Sequence, residues 1–228
     1  EHAGFRVIRH DNRDIGLSSK LGHLGKPNIL WTTLKMRLGL PVRPPYTLHD
    51  MALDAVGVLD ALGVKKAHIV GVSMGGMIAQ RVALAAPERV ISLTSIMSSS
   101  GAKGLPEASP RVIGALMKRP ANHSDEAILA HYLKLFEVIG SPGYPIDVAQ
   151  TRERILLGYK RNYNPAGVLR QMVAIGADMG QRAQQLGRIR APTLVLHGKD
   201  DPLVPYPCGE DTARRILGAK MVGIDGMG

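Results

Sequence analysis

A single cysteine, Cys208, serves the whole 228-residue chain. No internal disulfide framework is available, and the cysteine count suits a reducing compartment. A cytoplasmic location is therefore expected, although the chain opens Glu1-His2-Ala3-Gly4 without an initiator Met and leaves a preceding signal open. Aromatic residues are only 4% of the total, too few for a platform on which nucleic-acid bases stack. No apolar run approaches the ~20 residues that span a bilayer, so no membrane helix is expected. Paired cysteines and His-x-x-x-His spacings are missing too, which removes the usual metal-site patterns. Neither a repeat period nor a low-complexity tract interrupts the chain.

Charge is plentiful but diffuse. The formal net charge is +10, from 29 Lys and Arg against 19 Asp and Glu. These cations spread along the whole length, and adjacent groupings stop at pairs such as Lys65-Lys66 and Arg214-Arg215. Solvated basic faces account for this better than a nucleic-acid partner does. With 45% hydrophobic and 21% charged residues, the composition is that of an ordinary globular chain with material for a core.

The most informative stretch runs from Ala67 to Ala79. An apolar strand-type run leads into Gly71-Val72-Ser73-Met74-Gly75, and a helix-type run leads away from it. Strand, Gly-x-Ser-x-Gly and helix in that order make a nucleophile elbow. Such a turn holds Ser73 in a strained conformation with its hydroxyl projecting from the tip. Gly71 and Gly75 are expected to be small because strand and helix pass close together. The Met74 amide, at the helix start, is free to bind a developing oxyanion.

Around the elbow the chain alternates strand and helix. Phe5-Arg6-Val7-Ile8-Arg9 alternates in polarity and predicts a strand, followed by a loop over 10–18 that Asp11 and Arg13 tie together. A short amphipathic helix is expected within 29–40, closed by Pro41 and open to either packing or lining a substrate entrance. Thr47 reads as an N-cap with Asp50 in the first turn, opening a helix that Gly63 stops. Val90 to Met97 predicts another buried strand. Alternation of this kind calls for parallel strands joined by crossovers. From about 102 to 187 the pattern is helical only, including Ser124 to Ile139, Ile146 to Tyr159 and Pro165 to Ile175, and this reads as an inserted cap. Met117, Leu133, Phe136, Met172 and Met179 are its candidates for an apolar pocket wall, with ordinary core as the simpler account of each. The sheet pattern returns at Thr193–His197, a helix follows from about Cys208, and Lys220 to Ile224 predicts the last strand. Residues 1–101 and 188–228 thus form an α/β core, and 102–187 the cap.

A serine nucleophile needs a base, and the base an orienting acid. The acid belongs on a loop off a later strand, and the loop after Thr193–His197 carries Asp200 and Asp201. With Asp11-x-Arg-x-x-Gly-x-Ser18, Gly71-Val72-Ser73-Met74-Gly75-Gly76 and His197-Gly198-x-x-Asp201-Pro202-Leu203-Val204-Pro205 in place, the chain resembles the α/β-hydrolases. Arg13-Asp14 and Gly167-Val168-Leu169-Arg170-Gln171 are most similar to the esterase branch that includes the aclacinomycin methylesterases. The resemblance implies a serine hydrolase acting on a small-molecule ester or related acyl substrate, with no metal or organic cofactor. Asp201 aligns with its acid, Asp200 being the second choice, and His197 reads as structural. Lactone opening, carbon–carbon bond hydrolysis, perhydrolysis and a non-catalytic binding role remain open on the same scaffold. Cys208 is expected to be an ordinary buried or half-buried thiol.

The sequence departs from the family at both ends. Family members carry their basic histidine after the last strand, commonly just past a Gly-x-Gly such as Gly226-Met227-Gly228. None of the eight histidines stands there. The family also has three strands before the one at Phe5, the third lying between it and the His68–Val72 strand, with a loop that gives the second oxyanion amide. An internal fragment, complete at neither end and nearly inactive, is the expectation.

Overall fold

The Thr47 side chain accepts from the Asp50 amide while the Asp50 carboxylate accepts from Thr47 N–H, a reciprocal capping box. That box opens α2, Leu48–Ala61, and Gly63, at φ +66°, ends it. The computed structural model describes residues 3–161 and 163–228. Before α2 lies α1, Ile29–Arg37, capped by Asn28. This helix forms where expected but buries little, since Leu30, Trp31 and Leu34 are all exposed.

Strand β1, Ala67–Val72, runs into the elbow and α3, Met74–Ala85, and β2 follows as Val90–Ile96. The next helices are α4 Pro110–Met117, α5 Asp125–Ile139, α6 Val148–Arg161, α7 Pro165–Asp178 and α8 Gln181–Gln185. Ser124 caps α5 through the Ala127 amide, and Asn164 caps α7 through the Gly167 amide. Strand β3, Thr193–Gly198, helix α9, Tyr206–Arg215, and strand β4, Lys220–Ile224, complete the chain. Among the described residues the four strands are all parallel, in the order β1-β2-β3-β4.

Residues 5–9 form no strand, contrary to their alternating pattern. Phe5 meets His68 of β1 edge-on at 5.9 Å, but Phe5 and Val7 stay largely exposed. Alternation specifies faces and supplies no partner, and a strand exists only through a ladder. Among the described residues β1 is an outer strand, and its Val70 and Val72 are exposed. The two segments neither pair nor collapse together.

The main core lies between sheet and helices. Leu48, Met51 and Ala52 of α2, Ile78, Ala79 and Val82 of α3, and Leu93 of β2 meet there with Leu186, Ile189 and Ile216. Ala174 of α7 joins them, so that helix packs on the sheet layer, while Ile128, Leu129 and Ile155 of α5 and α6 form a separate cluster. Parallel strands send the loops after β1, β2 and β3, with Ser73 and Asp201 on the first and third, to one edge of the sheet.

Candidate active site

Ser73 occupies the tip of the turn at φ +54°, ψ −121°, a region that residues with a side chain rarely adopt. Neighbouring strand and loop hold it there. Its N–H donates to Ile96 O at 2.9 Å, and its carbonyl accepts from Ser98 Oγ at 2.8 Å. Gly71 is required because a β-carbon there would run into the Gly75 carbonyl. The second close approach is not at Gly75, as expected, but at Gly76. A β-carbon on Gly75 would meet nothing within 4 Å, whereas on Gly76 it would stand 2.6 Å from Ser98 Cβ. The helix faces the β2 loop one residue later than the motif suggests. Met74 is the first residue of α3, so its N–H has no acceptor inside the helix.

Asp201 lies on the loop after β3 and is 6% exposed. One carboxylate oxygen, Oδ1, accepts from the amides of Leu203 and Val204, both at 2.8 Å. These bonds fix the carboxylate's orientation. The other oxygen, Oδ2, is buried without a hydrogen-bond partner among the described residues. A buried acceptor left in this state is costly and points to a donor that belongs there. His197 does not supply one. Its Nε2 is 3.4 Å from Oδ2, but the proton goes to Val204 O at 2.6 Å. The imidazole is fully buried, with its Nδ1 side against Gly209 of α9. Asp200 faces the other way, accepting from Gly226 N–H at 2.9 Å while its own N–H donates to Met227 O. It ties down the segment after β4, which Gly143 also grips by donating to Gly226 O at 2.7 Å.

Two buried ionic groups were not foreseen. Arg81 of α3 and Arg182 of α8 both grip the Asp178 carboxylate at the end of α7. Arg182 donates in addition to Gln80 Oε1 at 2.8 Å and Ser99 O at 3.0 Å, binding the elbow helix to the loop after β2. The second group centres on Asp14, which accepts from Arg170 at 2.7 and 2.8 Å, from Tyr46 Oη at 2.9 Å and from Leu21 N–H. Arg170 outweighs the burial and holds the Asp14 carboxyl down to about 2. Asp11 behaves as expected within the loop, accepting from Leu17 N–H, while Arg13 reaches out to Asp54 of α2. The available signal was charge within apolar surroundings, such as Arg81 next to Val82 and Ala83. Cys208 is buried, its thiol pushed up by that burial. Among the described residues no cluster of three or more His, Cys, Asp or Glu could hold a metal ion.

A family model described as alpha/beta hydrolase fold matches residues 1–133. The chain belongs to the α/β-hydrolase family. Its parallel sheet, strand–serine–helix turn and flanking helices are those of an α/β-hydrolase fold. Among curated relatives, rhodomycin D methylesterase of Streptomyces peucetius is 30% identical over 247 residues, covering 99% of this chain and 76% of that protein. A hydrolase from Pseudomonas aeruginosa superposes with a TM-score of 0.61 at 27% identity, covering 96% of this chain and 71% of that one. A solved N-acyl homoserine lactone degrading enzyme gives a TM-score of 0.62 at 26% identity, over 80% of this chain and 68% of that one. These relatives support hydrolase activity in this α/β-hydrolase.

Proposed function

We propose that the protein is a serine hydrolase of carboxylic esters, with Ser73 as nucleophile and Asp201 as the acid that orients the base. The observation that carries this is Asp201 itself: a buried carboxylate with one oxygen fixed by two amides and the other unpartnered. A catalytic imidazole donating to Oδ2 would complete it. Ser73 would then attack the acyl carbonyl while the imidazole takes the hydroxyl proton. The Met74 N–H would stabilise the tetrahedral oxyanion, and water would release the acyl group. The methylesterase relative supports an ester as the substrate class.

The base is assigned to a histidine following β4, in keeping with the resemblance, because His197 spends its Nε2 proton on Val204 O. The 228-residue chain alone is therefore proposed to hydrolyse esters several orders of magnitude below an ordinary enzyme. The helical segment over 102–187 is proposed as the cap that shapes the acyl pocket. Lactone opening is the second reading, favoured by the likeness to the lactone-degrading enzyme and using the same serine.

A fluorophosphonate probe tests the assignment in protein that includes the segment following β4. Labelling should map to Ser73 and vanish in Ser73→Ala, and Asp201→Asn should slow it by orders of magnitude. Labelling that survives Ser73→Ala, or none at all, overturns the reading.

A further inference from the structure

Four of the chain's aromatic side chains, from six Tyr, two Phe and one Trp in all, gather around one cavity. Tyr132 and Phe136 of α5 face Tyr159 of α6 and Tyr163 just beyond it, across a space of about 420 Å³. That volume falls in the range of small-molecule sites, and none of Ser73, Met74 and Asp201 lines it.

The walls are set in place by their surroundings. Tyr159 stacks on Tyr163 with centroids 4.7 Å apart and ring planes 26° from parallel, and its hydroxyl is bonded to His123 Nδ1 at 2.5 Å. Behind them, Tyr132, Phe136 and Tyr159 rest on the buried cluster of Ile128, Leu129 and Ile155. Gly158 deepens the cavity, since a β-carbon there would meet nothing within 4 Å. At the rim stands Arg154, exposed and without an ion pair among the described residues. The other late cations of α6 are engaged, Lys160 with Asp125 and Arg161 with Asp11. One uncommitted guanidinium above an aromatic-walled apolar space is a recognition pattern for a flat ring bearing an anion.

We infer that the α5–α6 cavity binds a planar aromatic carboxylate, its ring against the tyrosine walls and its carboxylate on Arg154. The inference stands apart from the assignment of Ser73, Met74 and Asp201, because none of the three lines this cavity.

Calorimetric titration of the 228-residue protein with 2-naphthoate, and with neutral 2-naphthylmethanol, provides the test. Saturable binding of one naphthoate per chain is expected. Gly158→Leu should fill the cavity and weaken both probes by about tenfold or more, while its unfolding temperature stays level or rises. Arg154→Gln should weaken naphthoate by about tenfold and leave 2-naphthylmethanol unchanged. Absence of saturable binding, equal binding by Gly158→Leu, or equal loss of both probes in Arg154→Gln overturns the inference.

Discussion

The glycines of the elbow stand under demands that differ in kind. Gly71 must lack a β-carbon because rigid backbone, the Gly75 carbonyl, occupies its place. Gly76 must lack one because Ser98 does, and Ser98 is itself held by its bond to Ser73 O. Gly75 is under no such demand. Gly76→Ala is therefore expected to lose roughly 1–3 kcal/mol through overpacking. Gly75→Ala should be neutral or gain up to about 1 kcal/mol from its lower unfolded-state entropy and better helix propensity. Denaturant unfolding of the two variants checks the order. Equal losses would mean that the motif glycines act through the turn rather than through contact with the β2 loop.

At the scale of elements, buried charge joins the loop over 10–20 and α7 to the layer that carries the elbow. Asp14 and Arg170 are almost fully buried and 156 residues apart in sequence. Removing one partner leaves the other charge unpaired, so Asp14→Asn should cost about 3–5 kcal/mol. The same pair sets an acid limit. With the Asp14 carboxyl at about 2 instead of its ordinary 3.8, its contribution is present above pH 4 and lost as pH falls through the interval down to about 2. About 2 kcal/mol should disappear over that range in wild type and be missing from the pH dependence of Asp14→Asn. Urea titrations at pH 5 and pH 2.5 measure the difference. The Arg81–Asp178–Arg182 group plays a comparable part for α3, fastening the helix whose first amide is the proposed oxyanion donor.

For the whole molecule, the edge of the sheet at β1 matters most. Val70 and Val72 are exposed on an outer strand, and the segment over 5–9 runs near without pairing. An exposed apolar edge strand is a template for further strands, so this chain is expected to self-associate as concentration rises. Val70→Lys should suppress that association in light scattering with little loss of stability. Unchanged scattering would place the sticky surface elsewhere, the exposed Leu30 and Trp31 of α1 being the next apolar group.

The parts of this protein that the sequence determined are those written within a few residues. The Thr47–Asp50 box, the stop at Gly63 and the loop hydrogen bonds of Asp201 each depend on neighbours two to four positions away. Side-chain type and backbone preference settle such features before the chain is compact. Contacts across tens of residues were left to the tertiary structure. Whether residues 5–9 became a strand depended on a partner edge, and which elbow glycine was indispensable depended on where Ser98 came to rest. Phe136 lines the α5–α6 cavity because α6 brings Tyr159 to that space, a pairing that helical spacing alone does not specify. Asp14 and Arg170 entered the sequence reading only through a family resemblance, and folding brought Tyr46 and Arg170 to Asp14 from 32 and 156 residues further along the chain.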